Sequence, residues 1–168
     1  TKEVLTNVLT HLFGELALYR VDLTGVILKT SMVLPGKKSL EKVTDEEVAK
    51  ETAFVHRSCV PKNIGGVVFL SGGQTPVQAT DDLSQIMKLG LDTAYGFPLT
   101  YSYSRAIQDP VLKYFAEHMS DADCFEKARA ILIDRLNMNT LALSGEYTEA
   151  NETGISAHHD DATHSQDL

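Results

Sequence analysis

The 168-residue chain suits one domain by length, and a hydrophobic content of 43% can build a substantial core. A formal net charge of -8 argues against nucleic acid as a main partner, because phosphate backbones need a basic surface. Cys59 and Cys124 show no CxxC or Cys/His spacing, and no apolar run approaches the ~20 residues that cross a bilayer, so a reduced cytoplasmic protein with no membrane partner is expected.

Residues 2 to about 18 place Val4, Leu5, Val8, Leu9, Leu12, Phe13 and Leu16 at helical spacing, which predicts an amphipathic helix with one broad buried stripe. No signal peptide is visible; the chain opens on Thr1 and enters this helix at once, which reads as a sequence whose beginning is missing. Leu23 to Leu28 reads as the first strand, with Lys29 at its end and Thr30-Ser31-Met32-Val33 following. Alternation puts Gly25, Ile27 and Lys29 on one face, Val26 and Leu28 on the other. After a Pro35-Gly36-Lys37-Lys38 loop, Thr44 and Glu47 form a capping box that opens a helix to about Cys59.

Gly66 to Leu70 is a second buried strand, broken by Ser71-Gly72-Gly73-Gln74. Thr75 and Pro76 then supply the N-cap and first position of a third helix, which buries Leu83, Ile86 and Met87. Pro98 to Tyr103 reads as a third strand ending at Ser104-Arg105. A short helical piece from Asp109 follows, then a longer helix from about Asp121 to Leu143 with Phe125, Ala128, Leu132 and Leu136 inward. Residues 1–144 form the α/β domain, and 145–168 a flexible, polar tail. The His158-His159-Asp160-Asp161 run in that tail has no partner cluster, so no metal is expected.

Strands separated by whole helices imply a parallel sheet with right-handed crossovers. Lys29, Ser71 and Arg105 then fall at or just past the C-terminal ends of successive strands, the edge where parallel α/β proteins do their chemistry. Taken singly, each has an ordinary reading: a solvated strand-end lysine, a glycine turn, a surface arginine. Together they make a phosphate clamp beside an amine. The Ser71-Gly72-Gly73 turn can aim backbone N–H groups at an anion, and Arg105 offers a planar fork for phosphate oxygens. A lysine in a mostly apolar pocket beside other cations keeps free amine to attack a carbonyl.

Gly25 to Val33, Phe69 to Gln74 and Leu99 to Ala106 resemble, in order and spacing, class I fructose-bisphosphate aldolase, and Asn139 to Ala142 with Gly145 to Thr148 resemble its last helix and the start of its tail. The resemblance implies the C-terminal part of a TIM (β/α)8 barrel, its sixth, seventh and eighth strands. It places Lys29 on the Schiff-base lysine, Ser71, Gly72 and Gly73 on the loop holding the ketose C1 phosphate, and Ser102, Ser104 and Arg105 on positions binding the same end of the substrate. Ser104 replaces a glycine of the animal form, Thr30-Ser31 replaces a frequent Pro-Asn, and Leu168 stands where animal members end in tyrosine.

The implied activity is glycolytic cleavage of fructose 1,6-bisphosphate to dihydroxyacetone phosphate and glyceraldehyde 3-phosphate, with no metal or other cofactor. The phosphorylated sugar is the partner, and the full-length enzyme is expected to be a homo-oligomer. The family's acid–base carboxylates and lysines lie on its first five strands, so the chain reads as a fragment that is inactive alone. A non-catalytic aldolase-like module, and an aldolase for another phosphorylated ketose, are the competing readings.

Overall fold

A computed structural model describes residues 2–36, 38–40, 42–90 and 96–152. Among them, helix α1 (Lys2–Leu18) leads into strand β1 (Ile27–Thr30), followed by α2 (Asp45–Cys59), β2 (Gly66–Phe69), α3 (Pro76–Lys88), β3 (Leu99–Tyr101), α4 (Arg105–Glu117) and α5 (Cys124–Leu143). The strands form one sheet in the order β1-β2-β3, parallel throughout. Lys37 of the loop after β1, the His158–Asp161 run and the rest of 153–168 lie outside the described residues.

The helix starts follow their local chemistry. Thr44 Oγ1 accepts from Glu47 N at 3.2 Å while Glu47 Oε2 accepts from Thr44 N at 2.9 Å, the reciprocal capping box. Thr75 Oγ1 accepts from Gln78 N, and Pro76 occupies the first turn of α3. Two starts differ from expectation. Leu23–Gly25 is a 3-10 turn, capped by Asp22 accepting from Thr24 N and Oγ1, so β1 begins at Ile27 and Lys29 lies inside it. Helix α4 begins at Arg105 and runs through Pro110, which is buried with Ala106, Ile107 and Tyr114. That packing outweighs the ladder bond a proline forgoes.

The core lies on one face of the sheet. Leu28, Val67, Phe69 and Leu99 pack with Val48 and Val55 of α2 and Leu83 and Ile86 of α3. The opposite face is open: Ile27 is 67% exposed, and Lys29 and Thr100 are exposed beside it. The broad stripe of α1 is also only partly used. Leu9 and Phe13 are buried, whereas Val4 and Val8 are exposed, because α1 packs chiefly on α2. In α5, Phe125 is 70% exposed and Leu136 is exposed too, against the inward placement expected. The face of α5 turned to α3 and α4 carries Ala128, Ile131, Arg135, Met138, Asn139 and Ala142 instead.

Arg135 explains why the chain beyond Gly145 is not loose at its start. Its side chain is 1% exposed; Nη1 donates to both carboxylate oxygens of Glu152 at 2.7 Å, and Nη2 donates to Pro76 O and Thr80 Oγ1. Tyr147, fully buried, donates to Glu152 Oε1 at 2.7 Å. Residues up to Glu152 are thus pinned against α3 rather than belonging to a free tail. Arginine geometry suits such a buried bidentate pair, with Pro76 O and Thr80 Oγ1 accepting from the other terminal nitrogen.

Candidate active site

The parallel register brings the strand ends level. Lys29 pairs with Val68 and Val68 with Thr100; Thr30 pairs with Phe69 and Phe69 with Tyr101. The ladder extends one residue further, with Leu70 N donating to Thr30 O and Ser102 N to Phe69 O. Residues in register on parallel strands share a face, so Lys29, Val68 and Thr100 line the open side of the sheet, and Ser102 follows Thr100 on that side. Lys29 reaches across β2 and its Nζ donates to Ser102 Oγ at 3.2 Å. Beyond Lys29 the chain turns inward: Met32 and Val33 are buried, and Val33 N donates to the buried Thr52 Oγ1 of α2.

At the end of β2, Gln74 N donates to Ser71 O at 3.3 Å and closes a turn over Gly72 and Gly73. Gly73 has φ +83°, the value the third position of a type II turn demands. Ser71 is buried, and its Oγ accepts from Ala106 N at 3.4 Å, tying the turn to the first turn of α4. A Cβ on Gly72 would lie 3.0 Å from Leu70 Cδ1 and 3.7 Å from Arg105 Nη2, so the Arg105 guanidinium lies beside the turn. The arrangement puts glycine backbone, a helix N-terminus and a fork of N–H donors together, which is anion-binding chemistry.

Ser104 is exposed and donates to Gln108 Oε1 at 3.1 Å, within its own helix, and makes no side-chain cap. Lys29, Ser71, Gly72, Gly73, Ser102, Ser104 and Arg105 thus lie at the C-terminal edge of the sheet, on the turn after β2 or at the start of α4. Gly73→Ala should destabilise the protein by about 1 kcal/mol through its left-handed backbone, although the new methyl meets open space. Denaturant titration reads this directly, and an unshifted midpoint would contradict the turn assignment.

Sequence reasoning missed the polar layer beneath the turn. Gln74 Nε2 donates to Asp82 Oδ2 at 2.7 Å, and Asp82 is fully buried. Burial first, and the neighbouring Asp45 carboxylate second, push the Asp82 carboxyl up to about 8. Tyr103 is also buried and donates to Ala79 O at 2.9 Å. The signal for Asp82 was its position, three residues after Ala79 and four before Ile86 on the apolar side of α3. A separate cavity of about 320 Å3 is lined by Asp45, Thr75, Val77, Gln78, Asp81 and Glu149. None of the strand-edge residues borders it, and its carboxylates would repel a phosphate.

The family model for glycolytic fructose-bisphosphate aldolase class-I matches residues 1–166. This chain belongs to the class I fructose-bisphosphate aldolase family. It is 41% identical over 145 residues to the protein named "Probable fructose-bisphosphate aldolase class 1" in Xanthomonas axonopodis pv. citri, covering 86% of this chain and 42% of that one. It is 34% identical over 153 residues to the chloroplastic fructose-bisphosphate aldolase 2 of Arabidopsis thaliana, covering 91% of this chain and 37% of the relative.

Among solved structures, it is similar to fructose-bisphosphate aldolase from Plasmodium falciparum, crystallised with TRAP and a small-molecule inhibitor. That likeness has a TM-score of 0.79 and 36% identity, over 88% of this chain and 41% of that one. The chain therefore spans about two fifths of the length of the aldolases it matches. Among the described residues, no helix is long and apolar enough to cross a membrane, and no cluster of histidine, cysteine or carboxylate side chains could hold a metal ion.

Proposed function

We propose that this chain is the catalytic-lysine portion of a glycolytic aldolase that cleaves fructose 1,6-bisphosphate through a Schiff base on Lys29. The three strands would be the last three of a (β/α)8 barrel, with the open face of the sheet turned toward the barrel interior. One observation carries the reading: the Lys29 amine lies against Ser102 on that open face, at the same strand edge as the Ser71-Gly72-Gly73 turn and Arg105. An amine and an anion cradle at one edge match a ketone with a phosphate one carbon away.

The chemistry is electron-sink catalysis. The Lys29 amine adds to the C2 ketone, water leaves, and an iminium forms. A base removes the C4 hydroxyl proton, the C3–C4 bond breaks, and its electron pair moves into the iminium to give an enamine. Glyceraldehyde 3-phosphate departs, the enamine gains a proton at C3, and hydrolysis frees dihydroxyacetone phosphate and Lys29. The protonated imine is itself the electron acceptor, so this sequence calls for neither metal nor cofactor. Ser71, Gly72, Gly73 and the Arg105 fork would hold the C1 phosphate, and Ser102 would orient the amine. The general acid and base would come from barrel strands that this chain does not contain.

Borohydride reduction in the presence of dihydroxyacetone phosphate tests the assignment. In the full-length protein the peptide carrying Lys29 should gain the mass of the reduced adduct, and Lys29→Met should abolish the labelling. Label confined to Lys38 or Lys42 would overturn it.

A further inference from the structure

The turn assigned above to phosphate is held by more than its own backbone. Gln74 closes it, and the Gln74 side chain does not point to solvent but is buried beneath. Its Nε2 donates to Asp82 Oδ2 at 2.7 Å and lies 3.5 Å from Met32 Sδ. Asp82 belongs to α3; Met32, also buried, is the third residue after Lys29. One amide group therefore joins three pieces: the phosphate turn, the helix that follows it, and the loop leaving the lysine strand. Gln74 Oε1 has no hydrogen-bond partner among the described residues, so the pairing of Nε2 with Asp82 Oδ2 fixes the Gln74 amide, while the Asp82 carboxyl also faces Asp45.

We propose that Gln74, held by Asp82, is the positioning residue that sets the Ser71-Gly72-Gly73 turn relative to Lys29 and thereby sets affinity for the substrate phosphate. The inference rests on the phosphate role given to that turn in the proposed function. Backbone amides bind an anion tightly only when they are already aimed, because ordering them on binding costs affinity. Two adjacent glycines leave this segment freer than any other pair would, so alignment has to come from outside them. Gln74 supplies it from directly below. The character of Asp82 fits the role: its raised pKa keeps a neutral carboxyl behind the turn at and below neutral pH, where an anion would repel the phosphate. The carboxyls of Asp45 on α2 and Asp81 on α3, which face the same group, act in the same direction.

The test is an NMR titration of the full-length protein with dihydroxyacetone phosphate, with unphosphorylated dihydroxyacetone as the control. The Gly72 and Gly73 amides should shift with the phosphorylated ligand alone. Gln74→Leu should weaken that binding by roughly tenfold, the factor expected when one well-placed hydrogen bond's alignment is lost. Asp82→Asn keeps a neutral acceptor for Gln74 and should bind within about twofold of the unsubstituted protein. A merely structural Gln74 would lower the melting temperature while leaving the dissociation constant of the folded protein unchanged, and that result overturns the proposal. Should Gln74→Leu not fold, the unsubstituted protein still decides. The Gln74 side-chain NH2 resonances should move together with Gly72 and Gly73; a silent Gln74 amide beside responding glycines refutes the positioning role and spares the phosphate site. If the glycines themselves do not respond, both readings fall.

Discussion

On its own, the 168-residue chain should cleave fructose 1,6-bisphosphate at least about a hundredfold more slowly than a complete member of the family, since positioned acid–base groups contribute about 10²–10⁴-fold. The deficit follows from what surrounds the amine. Among the described residues, Ser102 is the hydrogen-bond partner of Lys29, and no carboxylate forms an ion pair with it. Iminium formation and C3–C4 cleavage each need a proton delivered or removed at a defined atom, and a serine hydroxyl hydrogen-bonded to the lysine does not supply both.

The sheet adds a structural deficit. β1 and β3 each have one strand neighbour among the described residues, and the face bearing Ile27 and Lys29 is open. Unpaired strand edges and an uncovered apolar face favour association over a well-packed monomer. A coupled assay for triose phosphate release, run beside circular dichroism melts, checks both points. Turnover close to that of a complete aldolase together with a cooperative melt would refute the account.

The elements whose limits rest on side chains adjacent in sequence were legible. Thr44 with Glu47, and Thr75 with Pro76, start α2 and α3 where the sequence places them. Errors arose where a local pattern had two solutions. Leu23 to Leu28 is apolar enough for a strand, but Asp22 captures Thr24 and curls the first three residues into a 3-10 turn. The helical piece reads as starting at Asp109, yet the buried Ala106, Ile107 and Tyr114 extend α4 from Arg105 through Pro110.

In α5 hydropathy selects Phe125 and Leu136, whereas tight packing against α3 and α4 selects small residues and the polar pair Arg135 and Asn139. Asn139 Nδ2 donates to Arg135 O, and Arg135 finds its partner 17 residues later in Glu152; such pairings depend on the tertiary fold. The strand-edge gathering of Lys29, Ser71 and Arg105 was legible because parallel topology alone brings those ends together. The Gln74–Asp82 layer was not, since the depth of an acid inside a helix face depends on what packs over it.

Replacing that acid should change how stability responds to pH more than any surface substitution. Asp82 has its carboxyl raised to about 8 by burial and by Asp45, while in the unfolded chain it releases its proton near 3.8. Between those values the folded state holds a proton that the unfolded state has lost, so stability is greatest at the acid end and falls as pH rises toward 8. The fully buried His56 runs the other way. Its Nδ1 donates to Thr52 O, its ring meets Phe69 edge-on at 5.3 Å, and burial pushes its pKa below the ordinary 6.5, so it contributes stability that rises with pH through that region. The native profile is the sum of these opposed slopes.

Asp82→Asn removes the falling one. The asparagine oxygen can still accept from Gln74 Nε2, and its NH2 can donate to the Asp45 carboxylate, where two carboxylates have no donor between them unless one is protonated. The variant should therefore be similar to the native chain near pH 5 and more stable by on the order of a few kcal/mol at pH 8. Denaturant unfolding of both forms at pH 5, 6, 7 and 8 measures this as a gap that widens with pH. A gap that stays constant across the series would mean that Asp82 is ionised throughout, and that the amide of Gln74 is paired with a carboxylate rather than with a carboxylic acid.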